Sequence, residues 1–229
     1  MGVRQERRSA READIIRVAR EHLARHGAAA LSLRAIARDL GVASSAIYRY
    51  VDSRDELLTR LILRAFTALS DSVHASHDVV PREDLAGRWD AVGRAMRNWG
   101  LENPHDFTLI YGSPVPDYAA PGERTIGPGT AVQAVLVTLL DDVVRAGRVP
   151  ADRAPEQVLA EAGVGRFLDD PLFAGSSLDP ATLARGLSAW TLLLGAVTSE
   201  LFHQLGPVDD PDALFEWHLR QARQLFLAS

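Results

Sequence analysis

LSLRAIARDLGVASSAIYRYVDSRDE, residues 31–56, decides how this chain is read. Apolar side chains fall at Leu33, Ile36, Ala37 and Leu40, the i, i+3, i+4, i+7 stripe that turns one face of a helix toward a core. Ser32 stands just before the stripe, where a hydroxyl can accept from the first free backbone amides. Gly41 follows it, where helices end in the left-handed conformation. A second short helix is predicted after Val42, at about Ser44–Tyr50, and a third starts near Arg54. Two helices joined by a short turn containing Gly are the helix-turn-helix signature, which points to DNA reading.

The flanking sequence extends the pattern. Ile15, Ile16, Ala19 and Leu23 line one face of a helix over about Ala10–His26 that ends at Gly27. With them, this segment resembles the TetR family of bacterial transcriptional regulators. The resemblance rests on Ile36-Ala37, Gly41-Val42, Ile47-Tyr48, Tyr50, Arg54 and Leu57-Leu58, and on IIRVAREHLARHG as the family's first helix. It covers residues 9–69 in order and spacing. Ala43 stands where the family often has a Ser or Thr capping the recognition helix, which leaves Ser44 for that role, and Val51 stands where Phe is common.

The resemblance implies an all-α chain of two parts: a three-helix DNA-binding domain with the helix-turn-helix over 9–69, and a helical ligand-binding and dimerisation domain over 70–229. Composition agrees. The chain has 229 residues, 47% of them hydrophobic, and a net charge of −5. Residues 1–50 hold ten Arg against five acids, a net of 10 − 5 = +5, so the rest carries −5 − 5 = −10. A basic head on an acidic body fits a DNA-binding domain attached to a second domain. There is no Cys, hence no disulfide, thiolate nucleophile or zinc-thiolate site. No signal segment and no apolar run of membrane-spanning length is read, so a cytoplasmic protein with no membrane partner is expected.

The predicted recognition helix, seven residues and about 10 Å long, fits a major groove roughly 12 Å wide. Ser44 and Ser45 near its N-terminus are best placed for base edges. Arg49, a turn further on, either reads guanine or holds a phosphate. Tyr48 and Tyr50 match family positions that support the recognition helix and touch the backbone, core packing being the alternative for Tyr48. Ser32 can offer a phosphate contact while capping its helix, capping alone being the alternative; Arg54 matches a basic family position that reaches phosphate, the alternative being a solvated side chain near Asp52 and Asp55. Arg4, Arg7, Arg8 and Arg11 form a basic N-terminal arm or a solvated tail.

A helix running from Arg54 toward His74 is predicted to connect the head to the body, and body helices are predicted at about Arg82–Asn98, Pro104–Tyr111, Thr130–Ala146 and Pro155–Leu168. Residues 112–129 hold four Pro and four Gly and are expected to form a loop. The last two helices, about 181–204 and 212–227, are expected to pair a homodimer, as in the family. The first carries a seam at Leu183, Leu187, Trp190, Leu194, Val197 and Leu201, and the second carries two faces. Trp89, Met96, Trp99, Phe107, Tyr111, Leu136, Leu139 and Trp190 are candidates to line an apolar ligand cavity, with His105 and Tyr118 as polar handles and ordinary core as the alternative for each.

The function the resemblance implies is a homodimeric repressor that binds double-stranded DNA at a palindromic operator and is released by a small apolar effector. A DNA-binding dimer whose body takes no small molecule is the alternative. No cofactor is implied and no enzyme is expected. Glu200 and His203 make one E-x-x-H pair, whereas a carboxylate-bridged metal bundle needs two such pairs and two further Glu. His74 and His77 lack a third ligand, and no nucleophile-elbow, P-loop or dinucleotide motif occurs.

Overall fold

The computed structural model describes residues 3–151 and 156–228, and no strand occurs among them. In chain order the helices are α1 (Val3–His26), α2 (Leu33–Asp39), α3 (Ser44–Ile47), α4 (Arg54–His77), α5 (Leu85–Glu102), α6 (Pro104–Tyr111), α7 (Gly122–Gly129), α8 (Ala131–Arg145), α9 (Glu156–Glu161), α10 (Pro180–Leu201) and α11 (Pro211–Gln224). The chain divides into two compact units. One takes the residues up to Ala68 together with Asn103–Gly129, and the other takes Leu69–Glu102 and the residues from Thr130 onward.

The first unit closes around Ile15, Ala19, Leu33, Ile36, Ala37, Ile47, Val51, Leu57, Leu58 and Leu61. Ile36, Ile47, Leu57 and Leu58 are at most 1% exposed, so truncating any one to Ala would cost about 2–5 kcal/mol. Ser32 caps α2, its hydroxyl accepting from the Ala35 amide at 3.5 Å. Gly41, at φ 65°, ends the helix. Its amide donates to the Arg38 carbonyl and that of Val42 to the Ala37 carbonyl, both at 3.0 Å, which is a Schellman closure. His22 of α1, itself buried, lies 2.6 Å from a carboxylate oxygen of Asp39 at the end of α2; that contact holds the Asp39 carboxyl below its usual range.

Residues 103–129 join this unit through polar ties. Arg20 of α1 donates to Asn103 at 3.2 Å and pairs with the buried Asp106. The Tyr118 hydroxyl lies 2.9 Å from the Thr59 hydroxyl. Arg124 pairs with Glu56 at 2.6 Å, and Arg60 reaches the same carboxylate at 2.7 Å. The expected loop therefore contains a helix, α7. The Pro121 carbonyl accepts from the amides of Arg124 and Thr125, and Pro128 falls in the last turn, where the ring's missing N–H leaves only one carbonyl unserved.

The second unit packs α5 against α8, α10 and α11. Trp89 is buried and donates through its indole N–H to the Leu219 carbonyl at 3.0 Å, with its ring edge-on to Phe226 at 5.0 Å. Gly93 lets α11 approach α5, since a Cβ there would meet Leu219 at 2.3 Å. Arg97 of α5 grips Glu200 of α10 through two hydrogen bonds of 2.7 Å. It also reaches Asp212 of α11 at 2.6 Å and lies over the Phe215 ring at 4.9 Å. Asp179-Pro180 and Asp210-Pro211 start α10 and α11, each Asp accepting from the amide three residues on, as N-cap residues do ahead of Pro in the first turn.

The helix predicted near Pro155–Leu168 is shorter. α9 stops at Glu161, Gly163 turns with φ 69°, and a 3-10 segment follows over Val164–Asp169; Pro155 lies outside the described residues. No single helix among the described residues is long and apolar enough to cross a membrane.

Candidate nucleic-acid interface

The regular part of the predicted recognition helix is α3, four residues rather than seven. Its path continues as a tight helical turn. The amides of Arg49 and Tyr50 donate to the Ala46 and Ile47 carbonyls, and that of Val51 also reaches Ile47. Ser44 does not take over the cap. It is the first helical residue, and the N-cap is Ala43, with no side-chain capping bond. Both serine hydroxyls thus remain with side chains that are exposed.

One side chain anchors this element. Ile47 is buried, while Ser44, Ser45, Tyr48 and Arg49 around it are exposed. Tyr48 is 46% exposed, which removes the core-packing alternative. Tyr50 is half-buried against the core, and its carbonyl accepts from Arg60 at 2.9 Å. Arg54 is not merely solvated: its Nη2 donates to the Ala28 and Ala29 carbonyls, both at 3.1 Å, and its Nη1 lies 3.5 Å from Asp55. It braces α4 against the 3-10 turn Ala28–Ala30.

The basic arm is part of α1 from Val3 onward rather than a tail, although the side chain of Arg4 lies outside those described. QERRSAREAD contains no Gly or Pro to stop a helix, and Arg8 pairs with Glu12 one turn on at 3.0 Å. Gln5, Arg7 and Arg8 share with Arg49 and Tyr50 a surface concavity of about 440 Å³. Sequence reading had no means to join two segments some forty residues apart.

The candidate cavity residues fall in both units. Phe107 and Tyr111 belong to the first; Trp89, Met96, Trp99, Leu136, Leu139 and Trp190 belong to the second. Trp89, Met96, Trp99, Phe107 and Leu139 are buried, while Tyr111, Leu136 and Trp190 are half-buried. Burial pushes the Tyr111 hydroxyl above the usual tyrosine range. His105 is exposed, and Tyr118 is engaged by Thr59. A polar group unnoticed in the sequence is Gln133 of α8, whose side-chain carbonyl oxygen is buried with no partner among the described residues.

α10 turns two faces to different surroundings. Leu183 and Val197 of the leucine seam are buried in their own unit. A groove of about 610 Å³ lies instead along Leu187, Ser188, Thr191, Leu192, Gly195, Ala196 and Ser199, with Leu205 and His218. Phe215, Leu219 and Ala222 of α11 and Phe226 just past its end are buried, while Trp217 of α11 and Leu225 at its C-cap are 51% and 37% exposed. Glu200 of the E-x-x-H pair is held by Arg97. His74 and His77 both face Asp78, and Arg88 donates to His77.

Comparison with known proteins bears on this arrangement. The profile of bacterial regulatory proteins of the tetR family matches residues 15–61, and that of a tetracyclin repressor-like C-terminal domain matches 89–222. The HTH-type transcriptional regulators Rv1816 of Mycobacterium tuberculosis and Mb1846 of Mycobacterium bovis are each 38% identical over 223 residues, 96% of this chain and 94% of theirs. The crystal structure of the regulatory protein SCO4313 superposes with a TM-score of 0.76 at 35% identity, over 96% of this chain and 98% of that one. With its helix-turn-helix and its helical C-terminal unit, the chain belongs to the TetR family and is a DNA-binding transcriptional regulator, not an enzyme.

Proposed function

We propose that the protein is a cytoplasmic homodimeric repressor that binds a two-fold symmetric operator and is released by a small, mostly apolar effector. The observation that carries the DNA-reading part is α3 itself: one buried anchor, Ile47, with Ser44, Ser45, Tyr48 and Arg49 exposed around it. In this reading the two serines meet base edges, where hydroxyls serve several bases and discriminate weakly. Ser32, Tyr48, Tyr50 and Arg54 hold the backbone. Two copies of the head, over residues 9–69, present their recognition helices to half-sites about one helical turn apart.

The dimer is assigned to α10 and α11. The face of α10 bearing Ser188, Thr191, Gly195 and Ser199 carries small side chains, and exposed Trp217 stands on α11 with exposed Leu225 at its C-cap. Small residues let helix axes approach, and large apolar ones reward burial. The effector is assigned to the body, among the buried aromatic and aliphatic side chains of α5, α8 and α10. Gln133 adds one requirement, a donor group on the effector, because an unsatisfied buried acceptor costs about 1–3 kcal/mol. An effector releases DNA only if it binds one arrangement of the dimer better than the other.

One observation favours a body without a small-molecule effector. Met96 of α5 is 0% exposed, so no water-sized void abuts it. The deciding experiment selects bound sequences from a random duplex pool at physiological salt, then titrates the selected duplex with apolar compounds that carry a hydrogen-bond donor. A two-fold site whose occupancy falls saturably with one compound class supports the proposal. A two-fold site indifferent to the whole series supports the second reading, and a selected site with no symmetry overturns the dimeric operator.

A further inference from the structure

We infer that the first turns of α1 and Arg49 together form a binding site for a phosphodiester of the DNA backbone, and that Arg49 clamps the backbone rather than reading a base. The inference goes beyond the helix-turn-helix assignment and rests on it. Arg7, Arg8 and Arg49 converge on one concavity of about 440 Å³ whose other walls are Gln5 and Tyr50. No carboxylate lines it among the described residues. Glu12 reaches only Arg8, at its Nε, and no ion pair or hydrogen bond of the Arg7 or Arg49 guanidinium occurs among the described residues.

That contrasts with the arginines of the second unit. Arg88, Arg94, Arg97 and Arg223 each lie within 2.8 Å of an acidic oxygen. Three like charges gathered with a single counter-ion, Glu12 on Arg8, keep a net positive charge, and an anion placed among them is attracted. A guanidinium offers paired N–H groups that match two phosphate oxygens. Gln5 and the edge of Tyr50 add neutral polar surface, which fits a singly charged diester.

The location selects the source of the phosphate. Arg49 stands two residues past the end of α3, so a group held there lies beside the duplex whose bases Ser44 and Ser45 face. Contacts to the backbone fix register without carrying sequence information. The site thus assigns the reading of bases to the N-terminal serines of α3 and the grip on the strand to α1 and Arg49.

The test uses the full-length protein and its selected duplex, with affinity measured against salt. The double variant Arg7→Ala, Arg8→Ala should lower the slope of log affinity against log salt by about one unit, as loss of one phosphate contact does. Arg49→Ala should also lower it by about one unit and weaken every single-base variant of the site by the same factor. Arg166→Ala, an exposed arginine of the second unit, should leave the slope unchanged and so controls for net charge. An unchanged slope in the double variant overturns the inference. So does an Arg49→Ala protein that loses preference at a single base pair. If the wild-type protein binds no duplex at all, the whole interface falls, and that result is read before any variant is made.

Discussion

Gly195→Leu separates the folding of the protomer from the pairing of protomers. A Cβ added at Gly195 meets nothing within 4 Å, and the residue lies in the interior of α10, in the exposed groove. Within one chain the substitution should stabilise, because Gly in a helix interior is about 0.8–1.0 kcal/mol worse than Ala and Leu is close to Ala. In the proposed dimer the same side chain is a wedge. Axes of packed helices lie about 8–10 Å apart, the nearer distance where the contact residues are small. Forcing a bulky group into a packed contact costs about 1–3 kcal/mol. A two-fold interface contains each position twice, so the total is about 2–6 kcal/mol, roughly thirtyfold to more than ten-thousandfold in the dimer dissociation constant. Sedimentation equilibrium across a concentration series reads that constant, and far-UV circular dichroism at dilution reads the protomer. The expected result is a monomer that melts no lower than the wild-type monomer. A variant that dimerises as tightly as wild type would refute the assignment of this face.

Three further predictions rest on single contacts. The Glu56 carboxyl is held down to about 2 by Arg124, against the effect of burial and with help from Arg60. Its contribution is therefore complete above the ordinary carboxylate value near 4.5 and lost as the pH falls from there toward 2. Because the pair is partly exposed, about 1 kcal/mol is expected, so Glu56→Gln should lose that much at pH 7 and differ less from wild type at pH 3.5 in urea unfolding. Arg54→Met removes two hydrogen bonds from a charged donor to the Ala28 and Ala29 carbonyls and should cost about 2 kcal/mol. All four Trp lie in the second unit, so this loss should appear in far-UV circular dichroism before tryptophan fluorescence. Gln133→Met removes a buried unsatisfied acceptor at similar volume and should raise stability by about 1 kcal/mol, seen as a higher melting temperature; a lower one would mean that the carbonyl is satisfied in solution.

The head was legible because its signals are local. Ser32, the stripe through Leu40 and Gly41 each act within one turn of backbone, and the structure uses all of them. The length of α3 was not, since one apolar anchor at Ile47 serves four helical residues followed by a turn as well as it serves seven. α7 was hidden for the opposite reason. GERTIGPG has poor helix propensity, and its helix is upheld by the Arg124–Glu56 pair and the burial of Thr125, partners that no local pattern announces. The starts of α10 and α11 were within reach, because Asp-Pro writes cap and first helical residue side by side. Gln133 sat inside an apolar run, and only packing shows that its carbonyl is enclosed. The arginines around the α1 concavity were visible one by one as a tail; their convergence on Arg49 is tertiary.

Arg97 has a kinetic consequence. By gripping Glu200, reaching Asp212 and covering the Phe215 ring, it fixes α10 and α11 to α5 within one chain. Helices held this way are already ordered before a second copy arrives, so little chain entropy remains to be lost on contact. Association into the proposed homodimer would then resemble the docking of rigid bodies, at about 10⁵–10⁷ M⁻¹s⁻¹, rather than a slower encounter that must wait for folding. Newly made protomers at low abundance would pair on first productive collision, and the lifetime of the pair, not the speed of its formation, would set how much regulator is competent at any moment.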